Sequence, residues 1–228
     1  MALDETVKKR VLIAEDKDLL FWGMQIVVQR IPDLELIGRA HNGQEAVEMA
    51  RELQPDMVLM DVLMPELDGI SATRTIKEEL PDIKILMLTG LDDPAVISDS
   101  LQAGADGFCP KYLSSEQLIA AIKTVGEGNM WLPSLYANQL RKTLSLSERV
   151  AQPAGISADV KYGRLSKREQ EVLQLMVSGL NNREIADRLV LSAETVKTHV
   201  RHIFEKMAVK RRTEAVLEAL RLGLVSAA

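Results

Sequence analysis

The run Met57-Val58-Leu59-Met60-Asp61-Val62-Leu63-Met64-Pro65 restricts the fold of this chain more than any other stretch. Four apolar residues in a row, bounded by Pro55 and Pro65, are too few for a helix and fit a strand buried on both faces. The strand ends on a carboxylate. In an open parallel sheet the ligand site lies just outside the carboxyl ends of the strands, so Asp61 stands where chemistry is expected. A lone strand-end Asp more often caps a loop, and its neighbours decide between the two readings.

Those neighbours recur in a regular order. Val11–Ala14 is a short apolar run ending in Glu15-Asp16, and Asp18 to Ile31 carries apolar residues near helical spacing until Pro32 stops it. Leu34–Ala40 reads as a strand, and Asn42 caps a helix through Leu53. After the Asp61 strand come a loop through Pro65 and Gly69, a helix over about Ile70–Leu80 and a strand over Ile83–Thr89. A helix over Pro94–Ala103, a brief strand Gly107–Cys109 and a helix from Ser114 to about Val125 complete the set. Strands alternating with helices through short connections predict an α/β doubly wound, five-stranded parallel sheet. Right-handed crossovers bring every strand end to one edge.

That edge collects Glu15, Asp16, Asp61, Thr89 and Lys111. Three crowded carboxylates repel one another and are costly to desolvate, so the cluster calls for a cation. A hard, oxygen-seeking ion such as Mg2+ (or Mn2+) suits one or two carboxylates and leaves coordination positions for a phosphate. An Asp in such a site can act as a nucleophile towards a phosphoryl group. Thr89 offers a hydroxyl and Lys111 a compact positive charge, both suited to phosphoryl oxygens.

From about Lys9 to Gly128 the sequence resembles the receiver domain of two-component response regulators, with the functional positions matched in order. The resemblance implies that Asp61 is the phospho-acceptor, that Glu15 and Asp16 help hold the metal, and that the Leu63 carbonyl adds a backbone ligand. It further implies that Thr89 and Lys111 hold the phosphate and that Phe108 is an aromatic switch. Two features depart from the common pattern. Glu15-Asp16 stands where many receivers have Asp-Asp, and Pro110 precedes Lys111 where many have proline after the lysine.

Charge divides the chain. Through Leu132 there are 12 Lys/Arg against 23 Asp/Glu, and from Pro133 onward 16 against 10. An acidic half joined to a basic half predicts different partners, with nucleic acid the natural one for the basic half. One cysteine excludes an intramolecular disulfide and a cysteine-rich metal site. No apolar run approaches the roughly 20 residues that span a bilayer, and Lys8-Lys9-Arg10 leads straight into a strand rather than a signal peptide. A cytoplasmic protein without membrane association is expected. Predicted domains are 1–130, a partly helical linker over 131–162, and 163–228. Within the linker, Ser134–Leu146 reads as a helix and Ala151–Ser157 as a flexible tether.

From Ser166 onward the periodicity is helical, predicting an all-α second domain. Ser166 and Glu169 have capping-box spacing, and Gly179 ends that helix. Asn182 opens a short helix, Val190-Leu191-Ser192 makes a turn without glycine, and Ser192 caps a longer helix to about Met207. Two helices joined by a three-residue turn fit a helix-turn-helix. In the long helix Val196, Val200, Ile203, Phe204 and Met207 form an inward stripe, while Lys197, Thr198 and Arg201 face away at the end suited to the major groove. A basic run, Lys210-Arg211-Arg212, follows.

This half resembles the LuxR/NarL-type DNA-binding domain over Gly163–Val225. The matching residues are Leu165-Ser166-x-Arg168-Glu169-x-Glu171-Val172-Leu173, Asn182-x-Glu184-Ile185-Ala186, Ser192-x-x-Thr195-Val196-Lys197-x-His199 and Arg212-Thr213-Glu214-Ala215. The resemblance implies base contacts from Lys197, Thr198 and Arg201, and phosphate contacts from Asn182, Thr195 and Lys210. It also implies a dimer face on a last helix, Glu214–Leu222, through Val216, Leu217 and Leu220.

Together these readings predict a transcription regulator rather than a turnover enzyme. A sensor histidine kinase would phosphorylate it, and it would pair with a second copy when phosphorylated or DNA-bound. Its other partners would be promoter DNA and RNA polymerase. A phosphohydrolase of similar chemistry would need a second Asp two residues beyond Asp61, where Leu63 stands. A sigma-factor-like subunit would need a second promoter-binding region. A small-molecule quorum sensor would need an aromatic-lined pocket, and the chain has only eight Phe, Trp and Tyr.

Overall fold

In a computed structural model, residues 8–90, 93–133 and 165–221 are described. The expected helix Ser134–Leu146 and tether Ala151–Ser157 lie outside the described residues. The chain forms two compact units.

The first unit holds a sheet of β1 (Lys9–Ala14), β2 (Leu34–Ala40), β3 (Met57–Asp61), β4 (Lys84–Thr89) and β5 (Gly107–Pro110). Its order is β2-β1-β3-β4-β5, and every pairing is parallel. The helices in chain order are α1 (Asp18–Gln29), α2 (Gly43–Leu53), α3 (Gly69–Glu79), α4 (Pro94–Gln102) and α5 (Ser115–Gly126). Of these, α1 packs with α5, and α2 with α3, across the sheet from each other.

β3 lies between β1 and β4, and all five of its residues are buried. That is why it is an unbroken apolar run rather than an alternating one. Each fully buried Leu or Met there contributes about 1.5–3 kcal/mol. β5 is an edge strand, which explains how it tolerates Pro110: proline lacks the N–H of a ladder and is confined to edges. Pro110 is registered with Thr89, and the next residue resumes the pairing, with Lys111 N–H donating to the Thr89 carbonyl at 2.7 Å.

The second compact unit takes in α4 together with α6 (Lys167–Val177), α7 (Asn182–Leu189), α8 (Ala193–Met207) and α9 (Arg212–Arg221). The Ser166–Glu169 capping box forms as expected, and Ser192 accepts the Thr195 N–H to cap α8. The cap of α7 is Asn181 rather than Asn182, and it forms a capping box with Glu184. On α8, Val196, Val200, Ile203 and Met207 are buried and Phe204 is half-buried, facing α6 and α7.

The turn between α7 and α8 answers the question of its missing glycine. Val190 itself takes the left-handed conformation, at φ 55° and ψ 53°, and is 91% exposed. A β-branched residue there is strained by roughly 1–2 kcal/mol. Glycine relieves the strain but adds chain entropy of about 0.5–1 kcal/mol. Val190→Gly is therefore expected to stabilise the helical unit by about 0.5–1 kcal/mol, read as a higher urea midpoint at unchanged slope. A lower midpoint would show that Val190 contributes packing its exposure does not reveal.

Candidate functional site

The site forms where β1, β3 and β4 end. Glu15 follows β1, and its N–H donates to the Ala40 carbonyl at 3.0 Å, carrying the β1–β2 pairing into the loop. Asp61 closes β3 opposite Leu88, so Thr89, the next residue of β4, stands beside it on the same edge. One carboxylate oxygen from each of Glu15, Asp16 and Asp61 falls within a 4.8 Å span. Glu15 and Asp61 are buried, at 0% and 2% exposure, while Asp16 is half-buried.

Lys111 reaches into the acids. Its ammonium lies 2.5 Å from Glu15 Oε2 and 2.8 Å from Asp61 Oδ2. Lys111 is shared between two buried carboxylates, and Asp16 pairs with Lys17 at 3.2 Å, so two cations face three carboxylates. Burial pushes the Glu15 carboxyl above its ordinary range; the Asp61 charge adds to that rise and Lys111 opposes it. Asp61 Oδ1 accepts the Leu63 N–H at 3.3 Å, whereas buried Oδ2 has the Lys111 charge but no directed hydrogen bond. A buried carboxylate oxygen in that condition suits a further cation or a reacting atom. The all-oxygen donor set fits a hard divalent ion, with Glu15, Asp16 and Asp61 as the residues that would hold it. At Leu63 the side chain is exposed, while the preceding carbonyl, of Val62, is taken by Gly69 N–H at 3.0 Å.

Thr89 and Phe108 are both buried, Phe108 completely, and Phe108 is registered opposite Met87 on β5. Cys109 lies between Phe108 and Pro110, and burial pushes its thiol up to about 12. That thiol is no nucleophile at neutral pH.

Gly69 has a role that its place in a loop did not disclose. A Cβ on it would lie 1.9 Å from the Asp61 carbonyl oxygen and 3.1 Å from Met60 Cγ. Glycine is needed because the start of α3 is laid directly against the backbone that carries Asp61. Gly69→Ala is expected to cost about 1–3 kcal/mol or more in unfolding free energy and to slow chemistry at Asp61. Wild-type stability in thermal unfolding would contradict this.

In the helical unit Lys197, Thr198, Arg201, Thr195 and Lys210 are exposed. Lys197 pairs with Glu194 at 3.3 Å and Arg201 with Glu205 at 3.9 Å, both along their own helix. The Thr198 hydroxyl donates to the Glu194 carbonyl at 3.1 Å, and the Thr195 hydroxyl lies 2.8 Å from that of Ser192. Asn182 is half-buried, its Oδ1 accepting from Arg212 at 2.9 Å. Arg212, the last of the basic run, thus turns inward. It is buried, donates also to the Leu180 carbonyl at 2.6 Å, and is lowered by desolvation to about 10. Val216 and Leu220 are buried within the single chain and Leu217 is half-buried. The last helix starts at Arg212 rather than Glu214.

Residues 11–123 match the response regulator receiver domain family, and residues 163–219 match the luxR family of bacterial regulatory proteins. The chain is 39% identical over 218 residues to the transcriptional regulatory protein LnrK of Bacillus subtilis, covering 94% of this chain and 98% of LnrK. This chain is a LuxR-type response regulator. The transcriptional regulatory protein LiaR of Bacillus subtilis is 36% identical, over 95% of this response regulator and 99% of LiaR. The crystal structure of the response regulator ChrA of a heme-sensing two-component system is 31% identical, with a TM-score of 0.50, covering 95% of this chain and 98% of that one. The regulator is therefore a two-component transcription regulator with a receiver and a LuxR-type DNA-binding domain. No helix among the described residues is long and apolar enough to cross a membrane.

Proposed function

We infer that this response regulator accepts a phosphoryl group on Asp61 from a sensor histidine kinase, and that the modified protein binds promoter DNA as a pair of chains. The observation that carries the reading is Asp61 Oδ2, buried among Glu15, Asp16 and Lys111 without a directed hydrogen bond. An Asp61 oxygen forms the new P–O bond as the P–N bond to the kinase's histidine breaks. The imidazole, already protonated on its other ring nitrogen, leaves with the bonding electron pair as a neutral ring. Glu15, Asp16 and Asp61, with the Leu63 carbonyl as a further ligand, would hold Mg2+ or Mn2+, which would neutralise charge on the phosphoryl oxygens.

This chain's own residues do the rest. Lys111, 2.8 Å from the nucleophile, turns its charge to a phosphoryl oxygen once Asp61 is phosphorylated. Thr89 donates its hydroxyl to another, and its movement is passed to Phe108 on the adjacent strand. The reshaped β4–β5 surface favours pairing of two chains, with Leu217 and its neighbours on α9 as a second face in the DNA-binding unit. Pairing doubles the DNA contacts and raises affinity without new chemistry. Lys197, Thr198 and Arg201 read base edges, while Thr195, Asn182 and Lys210 meet phosphates.

Metal removal tests the receiver half. With EDTA, incorporation from a small acyl phosphate is expected to stop, and excess MgCl2 or MnCl2 to restore it. Undiminished incorporation in EDTA would remove the metal from this account.

A further inference from the structure

Arg39 stands at the end of β2, registered opposite Ile13, and its guanidinium is spent on a single loop. Nε donates to the Glu15 carbonyl at 3.2 Å and Nη2 to the Asp16 carbonyl at 3.3 Å. Nη1 binds the Asp18 carboxylate at 2.7 Å, and the group lies over the Phe21 ring, 4.5 Å from its centre. The side chain is 16% exposed. All three nitrogens therefore grip the segment that carries two of the three clustered carboxylates and the first turn of α1.

That grip has a specific consequence. Crowded carboxylates relax by moving apart unless the backbone bearing them is fixed. Glu15 is fully buried and held by Lys111, but Asp16 makes its ion pair outward, with Lys17 at 3.2 Å. The position of Asp16 near Asp61 is thus set by its main chain, and Arg39 binds that main chain at Glu15 and Asp16 together. A planar fork can satisfy three acceptors in fixed directions, which a lysine ammonium on a flexible stem does not reproduce.

We propose that Arg39 is a positioning residue for the divalent-cation site, holding the Glu15–Asp16 backbone so that both carboxylates converge on Asp61 before the ion arrives. The role is geometric, since its bonds run to the two main-chain carbonyls and to Asp18 rather than to the clustered carboxylates. The inference rests on the metal reading above.

The test uses the full chain with Arg39→Lys and Arg39→Met, and Mn2+ alone as probe, free Mn2+ being read by electron paramagnetic resonance. Outer partners of metal ligands typically change affinity by 10- to 100-fold. Both variants are expected to bind Mn2+ about tenfold more weakly than wild type. In phosphoryl labelling, the Mg2+ needed for half-maximal rate rises by a similar factor, while the rate at saturating Mg2+ stays within about twofold. An Arg39→Lys protein that binds Mn2+ like wild type would show that charge suffices and overturn the proposal. So would unchanged Mn2+ affinity in both variants, or a fall in the saturating rate alone. Wild-type protein that binds no Mn2+ would strike the metal reading itself, a result separate from these.

Discussion

Asp61→Asn is expected to abolish phosphoryl incorporation from a small acyl phosphate, leaving only background, while the protein stays folded. The amide keeps the shape of the carboxylate, and its oxygen can still accept the Leu63 N–H that Asp61 Oδ1 accepts at 3.3 Å. What it lacks is the anionic oxygen that attacks phosphorus. Folding is expected to survive for a reason visible in the charges. The substitution forfeits the 2.8 Å pairing with Lys111 but also removes one of three mutually repelling carboxylates, and Lys111 keeps Glu15. The two changes oppose each other, so thermal unfolding should move by no more than about 1 kcal/mol. Labelling is read by intact mass together with the hydroxylamine sensitivity of an acyl phosphate. Wild-type labelling in the folded variant would place the nucleophile elsewhere and end the account of Asp61.

Lys197→Ala and Arg201→Ala are each expected to weaken binding to a specific DNA site by roughly fivefold to a hundredfold, the worth of a base contact of about 1–3 kcal/mol. The variants should fold normally. The two side chains are 62% and 69% exposed, and their pairs with Glu194 and Glu205 are exposed, intrahelical contacts that contribute little. Salt separates reading from mere attraction. If Lys197 or Arg201 meets a base, affinity falls and specificity relaxes at one position of the site. If it meets a phosphate, affinity falls evenly over all sequences and the log–log salt slope drops by about 0.9. Wild-type affinity and salt slope in both variants would move the DNA-binding face off α8. Lys206, on the same helix, makes a poor comparison because it is tied to Glu169 at 2.7 Å, and its removal would disturb the capping box of α6.

The elements legible in advance were those whose signal is short in range. β3 could be read because burial on both faces demands consecutive apolar residues, and α6 and α8 because Ser166, Glu169 and Ser192 satisfy backbone donors only a few residues away. Helix ends were less exact. Asn181 rather than Asn182 caps α7, since either asparagine can accept and only the folded turn selects one. The basic run Lys210-Arg211-Arg212 likewise conceals its division, because the inward turn of Arg212 depends on where the Leu180 carbonyl lies, about thirty residues away.

The acids of the site follow the same division. Strand alternation and parallel crossovers were enough to place Glu15, Asp16, Asp61, Thr89 and Lys111 on one edge, because those rules concern the chain's direction and not its contacts. Local pattern therefore determined that this chain builds a sheet edge crowded with carboxylates and a helix bearing an exposed basic face. Tertiary structure alone decided that Lys111 bridges Glu15 and Asp61, that Gly69 must lack a side chain, and that Arg39 clasps the acid loop. Each of these depends on a distance between residues far apart in sequence, and such distances exist only after the strands have paired and the helices have packed.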